Sequence, residues 1–119
     1  MEVNIMPFLF EGLEVYKKSL RFVINIYALN GSLKDKFIKD QLRRASLSIP
    51  LNIAEGQGRL HTKEKKQFYN IARGSVLECV SLIQISKELG YIEMNKYQEL
   101  YELATEISKM LCGLLNSIK

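Results

Sequence analysis

An all-α fold, an antiparallel up-down-up-down four-helix bundle, is what this chain predicts, and three observations carry it. Apolar residues recur at spacings of three and four along four long stretches, at about 100° per residue. No segment shows the strict alternation of a half-buried strand. Short breaks rich in Gly and Asn separate the stretches and leave room only for tight connections. The helices fall at about 11–29, 34–56, 63–89 and 94–117, within a single domain over 1–119. A chain of 119 residues, 47% hydrophobic and 25% charged, can bury a proper core without metal or disulfide staples.

In the first helix Leu13, Tyr16, Leu20, Val23, Ile24 and Tyr27 form the expected core stripe. Val15, Phe22, Ile26 and Leu29 make a second ridge, and Lys17, Lys18 and Arg21 cover the arc opposite it. Asn30-Gly31-Ser32 breaks the helix, with Ser32 placed to cap the next and Asp35 early enough to favour its positive end.

The second helix organises the rest. In QLRRASLSIPLNIAEGQGR (41–59), Leu42, Ala45, Ile49 and Ile53 share the core side, while Leu47, Leu51 and Ala54 form a separate ridge. Gln41, Arg44, Ser48, Asn52, Glu55 and Arg59 make a polar line between them. Two apolar faces mean either that one meets a neighbouring subunit or that the helix is surrounded by its own bundle. Val15, Phe22, Ile26, Leu47, Leu51 and Ala54 are the residues expected at an interface between subunits. Pro50 removes an N–H and presses on the carbonyl of Ser46, so a kinked but continuous helix is expected, with the Ser46 hydroxyl placed to help. Gly56 and Gly58 supply the stop.

Thr62 is the expected cap of the third helix, whose face is Phe68, Ile71, Ala72, Ser75, Cys79, Leu82, Ile83, Ser86 and Leu89. Gly74 inside it costs about 1 kcal/mol against alanine, which points to tight packing there. Lys63, Lys66 and Arg73 lie opposite as a basic line with Arg59 close by, and Gly90 ends the helix. In the fourth, Leu100, Leu103, Ala104, Ile107, Leu111, Leu114, Leu115 and Ile118 face inward, and Glu99, Glu102, Glu106 and Lys109 cover the outside.

Chemistry is sparse. His61 is the sole histidine, which excludes a multi-histidine metal site, and its surroundings suggest no Ser-His-Asp set. Cys79 and Cys112 each fall on an apolar stripe, the pattern of buried thiols. Neither a catalytic set nor a cofactor is expected. No run approaches the roughly 20 apolar residues of a membrane span. The start lacks a basic region followed by a long apolar stretch, so a cytoplasmic protein is expected. The formal charge of +4 is uneven: most of the positive excess precedes Gly74, and glutamates dominate beyond it.

The stretches LEVYKKSLRFVINIY, QLRRASLSIPLNIAEGQGR and FYNIARGSVLECVSLIQISKELGYI together resemble a family. It is that of the bacterial four-helix-bundle proteins encoded in 23S rRNA intervening sequences, also filed as S23-type ribosomal proteins. The most specific pieces are Ser48-Ile49 with Asn52-Ile53-Ala54-Glu55-Gly56, and Ala72-Arg73-Gly74-Ser75 with Glu78. The same family includes the accessory variability proteins that assist reverse transcriptases of diversity-generating retroelements. The resemblance implies a ring-like homopentamer with a basic surface. It also implies a nucleic-acid, ribonucleoprotein or reverse-transcriptase setting, without enzymatic activity.

The motif residues Arg44, Asn52, Glu55, Arg73 and Glu78 admit two readings. Paired carboxylates beside an arginine occur in active sites. The structural alternative, Glu55 or Glu78 paired with Arg44 or Arg73 between packed helices, is preferred because no nucleophile–base pair accompanies them. The leading functional expectation is a module whose Arg59, Lys63, Lys66 and Arg73, helped by Lys17, Lys18 and Arg21, contact phosphates without reading sequence. The alternative is an oligomeric protein-interaction scaffold in which those charges serve solubility.

Overall fold

The computed structural model describes residues 8–31 and 33–118. Four helices account for most of them: α1 Glu14–Tyr27, α2 Lys36–Gly58, α3 Thr62–Glu88 and α4 Met94–Ser117. A 3-10 turn at Leu9–Gly12 precedes α1, another at Ala28–Gly31 follows it, and no strand occurs among the described residues. Each helix packs on the next in the chain, and α1 also packs on α4, so the four enclose one core. The body is flat, 43 × 40 × 22 Å, with a radius of gyration of 15.2 Å. A rounder domain of this length would have about 13.5 Å.

The helix ends follow local chemistry. Asp35 caps α2, its Oδ1 accepting the Ile38 N–H at 3.0 Å. The capping role expected of Ser32 lies outside the described residues. His61, not Thr62, holds the cap position of α3, with no side-chain bond. At the other end Gly90 takes φ +77°. The Gly90 N–H there reaches Lys87 O at 3.0 Å, and the Tyr91 N–H reaches Ser86 O at 2.8 Å. That double closure satisfies carbonyls the last turn would leave open.

α2 runs unbroken through Pro50, which is buried. The Ser46 hydroxyl donates to Arg43 O at 3.0 Å, so it satisfies the turn before and not the site the proline disturbs. Gly56 does not stop the helix. It lies inside it, where a Cβ would come within 2.6 Å of Tyr69 Cε1 and 3.3 Å of the Lys65 carbonyl. The close approach of α2 and α3 is therefore at Gly56. Among the described residues nothing beyond the helix's own backbone lies within 4 Å of a Cβ placed at Gly74, so the expected packing reason for that glycine is absent within the chain.

The core confirms α2 and most of α4 and corrects α1 and α3. Leu42, Ala45, Ile49 and Ile53 are buried, as are Leu100, Leu103, Ala104, Ile107 and Leu111. In α1 the two ridges exchange roles. Val15, Phe22 and Ile26, expected between subunits, are at most 3% exposed and belong to the core. Leu20, Ile24 and Tyr27, expected inside, are 40%, 67% and 36% exposed. The reason is the company each ridge keeps. Lys17 falls in line with Leu20 and Ile24, whereas Val15, Phe22 and Ile26 share their line with Ser19, whose hydroxyl is satisfied by Tyr16 O at 2.7 Å and can be buried. On α3 the buried line is Tyr69, Ala72, Val76, Cys79, Ile83 and Ser86. It has turned away from Ile71 and Leu89, which are exposed.

Candidate nucleic-acid interface

The N-terminal half of α3 presents Lys63, Lys66, Asn70 and Arg73 at spacings of three, four and three, one line on a helix. The line borders the buried face of Tyr69, Ala72 and Val76, about 100° round the helix from it, with Lys63, Asn70 and Arg73 exposed and Lys66 half-buried. Lys66, Asn70 and Arg73 form one wall of an open hollow of about 380 Å³. Cys112, Leu115 and Asn116 from the last turns of α4 form the other, and among the described residues no carboxylate lines it. Among the described residues Lys63, Lys66 and Arg73 have no ion-pair partner within 4 Å.

The other cations named from the sequence are placed differently. Lys18 Nζ lies 2.7 Å from Glu106 Oε2, and Lys17 Nζ lies 3.5 Å from Glu14. Lys18, Arg21 and Asn25 share a hollow with Glu99, Glu102 and Glu106, so that side of α1 faces an acidic α4. The hydrogen bond from Lys18, then its charge and those of Arg21 and Lys109, hold the Glu106 carboxyl below its ordinary range. Arg59 is held by Glu55 at 2.8 Å, with Glu64 at 3.9 Å, and its guanidinium stacks 4.7 Å from the Phe68 ring. The structure thus gathers Lys66 and Arg73 into one uncompensated site, continues it along α3 to Lys63, and leaves Lys17, Lys18, Arg21 and Arg59 outside it.

The expected polar motif is also redrawn. Arg44, Glu55, Arg73 and Glu78 are exposed and make no ion pair between α2 and α3 among the described residues; Glu55 turns to Arg59 on its own helix. A long charged side chain on a helix rim reaches water more cheaply than a partner across a packed seam. Midway along the seam the polar contact between the two helices is neutral. Asn52 Nδ2 donates to Ser48 O at 2.8 Å and Ser48 Oγ at 3.0 Å, and the hydroxyls of Ser48 and Ser75 lie 2.8 Å apart. Lys65, not singled out from the sequence, donates to Gly56 O at 2.9 Å and Gln57 O at 3.1 Å, closing the end of α2. Beside it Tyr69 donates to Gln57 Oε1 at 3.1 Å, and burial raises its phenol pKa above the ordinary value.

Sequence reasoning missed Asn70, Cys112, Leu115 and Asn116 as parts of one hollow. Asn70 was within reach, being four residues after Lys66 and three before Arg73. The α4 residues were not, since the register of α4 against α3 decides them. The thiols differ in setting. Cys79 is fully buried, its pKa pushed up to about 12 by burial and by the charge of Glu78, whereas Cys112 is half-buried in the hollow. Among the described residues no group of three or more His, Cys, Asp or Glu is placed to hold a metal ion. None of their helices is long and apolar enough to cross a membrane.

Comparison with known proteins adds a family and a solved structure. A family model described as 23S rRNA-intervening sequence protein matches residues 11–113. A crystal structure of a protein of unknown function from the S23 ribosomal protein family of Bacteroides thetaiotaomicron superposes with a TM-score of 0.79. Its sequence is 26% identical, and the match covers 85% of this chain and 97% of that one. No curated protein matches.

Proposed function

The chain belongs to the 23S rRNA-intervening sequence protein family, and from that premise we propose that it is a non-enzymatic accessory module that binds nucleic acid through phosphates. The single observation carrying this reading is the Lys63, Lys66 and Arg73 line: among the described residues, three cations without a carboxylate partner, beside a hollow without a carboxylate wall. Such a surface attracts a polyanion by releasing its counterions and has no need of base contacts to do so. The family's link to an rRNA intervening sequence favours RNA or a ribonucleoprotein, with a reverse transcriptase complex as one form of the latter.

Assembly is part of the proposal. The subunit is read as an antiparallel bundle, since Lys65, Tyr69 and Ser75 of α3 meet residues 56–57, 57 and 48 of α2 in descending order. Leu47 and Leu51 on α2, Leu20 and Ile24 on α1, and Ile71, Leu77 and Ile85 on α3 are exposed apolar residues that further copies would cover. Gly74, with open space around it, falls on the α3 face beside Ile71 and admits a close helix crossing from another copy. A closed ring of five such subunits, operating in the cytoplasm, would repeat the basic line and multiply its weak contacts.

Filter binding to structured RNA and to DNA across a salt series tests the function. The expected result is binding at low salt that the triple change K63A/K66A/R73A weakens by about 10- to 100-fold, with a shallower salt slope. No binding at low salt, or none lost in the triple variant, overturns it. Partners recovered from extract that survive nuclease would favour a protein scaffold instead, a reading supported by the same exposed apolar faces.

A further inference from the structure

We infer that the hollow between α3 and the last turns of α4 seats one unstacked nucleotide of a single strand, so that the protein selects single-stranded over duplex nucleic acid. This rests on the phosphate-binding reading above and adds to it what the phosphate is attached to.

The argument is from the chemistry of the walls. Lys66 and Arg73 stand seven residues apart, about 10.5 Å along the helix axis. Both side chains are long enough to converge on an anion held between them, and Asn70 lies on the same line midway. The unpaired carbonyls at the end of α4 carry about half a negative charge. Two full positive charges outweigh it. A surface meant only for a duplex backbone needs no more than this row of donors. Here the opposite wall supplies something else: Leu115 and Cys112 are half-buried and offer an apolar patch, and Asn116 adds a second amide. Each amide carries both donors and an acceptor, the groups needed to meet a base edge. A volume of about 380 Å³ falls at the small end of ligand sites.

A base in a duplex cannot use such a seat, because its faces are stacked and its edges lie inside the grooves. A base in a loop, a bulge or a free end can be splayed out into it. The hollow of α1 and α4 offers no equivalent, since Glu99, Glu102 and Glu106 line it and repel a phosphate.

Cys112 provides a built-in reporter. It lines the hollow, while the only other thiol, Cys79, is fully buried and stays protonated, so maleimide reacts at Cys112 in the folded protein. Labelling is followed in the full chain with 5′-ribonucleoside and deoxyribonucleoside monophosphates, inorganic phosphate, a single-stranded oligonucleotide and its duplex. Millimolar mononucleotide and micromolar single strand are expected to slow labelling several-fold, with inorganic phosphate and duplex well behind. The ribo and deoxy arms tell whether the 2′-hydroxyl contributes. In binding assays C112F, which fills the seat, and N70A/N116A, which changes two exposed amides, are expected to lower single-strand affinity about tenfold with the salt slope unchanged. If duplex and single strand bind equally and N70A/N116A is silent while K63A/K66A/R73A remains damaging, the nucleotide seat is overturned and the phosphate reading stands. If nothing binds at low salt, both fall.

Discussion

Two of the hollows beside α4 are each walled by two cations and an asparagine from a neighbouring helix. On the α1 side Lys18, Arg21 and Asn25 face Glu99, Glu102 and Glu106. On the α3 side Lys66, Asn70 and Arg73 face Cys112, Leu115 and Asn116. The helix contributing the cations is nearly equivalent in the two places; the acidity of the stretch of α4 opposite is not. On the proposed reading, a lysine can serve a phosphate only where the fold has not already neutralised it. The difference arises along α4 itself, whose glutamates reach no further than Glu106 and whose last turns are apolar and amide residues.

The sharpest way to break this contrast is to remove each set of cations in turn. K63A/K66A/R73A is expected to cost about 10- to 100-fold in nucleic-acid affinity at low salt, and K17A/K18A/R21A less than about threefold, by filter binding. A converse change sharpens it. E99Q/E102Q/E106Q should release Lys18 and Arg21, raise affinity several-fold and steepen the salt slope by about 1 to 2. The smallest effect is on stability. Because Glu106 is held below its ordinary pKa in the folded state, its contribution is present above the unfolded value and lost as pH falls through the folded one. Thermal melts of E106Q should lie slightly below the parent near pH 7 and coincide with it in strong acid.

The bundle was legible because most helices carry one apolar line free of charge. Leu42, Ala45, Ile49 and Ile53 form such a line and are the core of α2. α1 carries two lines of similar apolar content, and periodicity cannot rank them. Burial went to the one shared with Ser19 because Lys17 interrupts the other, a distinction that hydrophobicity alone hides. On α3 the choice of Ile71 over Tyr69 failed for a related reason. Tyrosine reads as a surface residue until its hydroxyl finds a partner, and Gln57 supplies it from another helix. Of the candidate site, the α3 line was visible in the spacing of Lys63, Lys66 and Arg73. The pairing of charges was not, since Glu106 lies 88 residues from Lys18 in the chain and only the packing of α4 on α1 brings them to 2.7 Å.

The contact of Gly56 with the Tyr69 ring bears on how fast the molecule forms. α2 and α3 are joined by only three residues, 59–61, so bringing that ring against the glycine closes a very short loop at little entropic cost. The expected nucleus is this helical hairpin, with α1 and α4 condensing on it afterwards. Gly56→Ala, whose methyl would strike the ring, should then appear in stopped-flow refolding mainly as a slower folding rate, whereas truncating Ile107 in α4 should mainly speed unfolding.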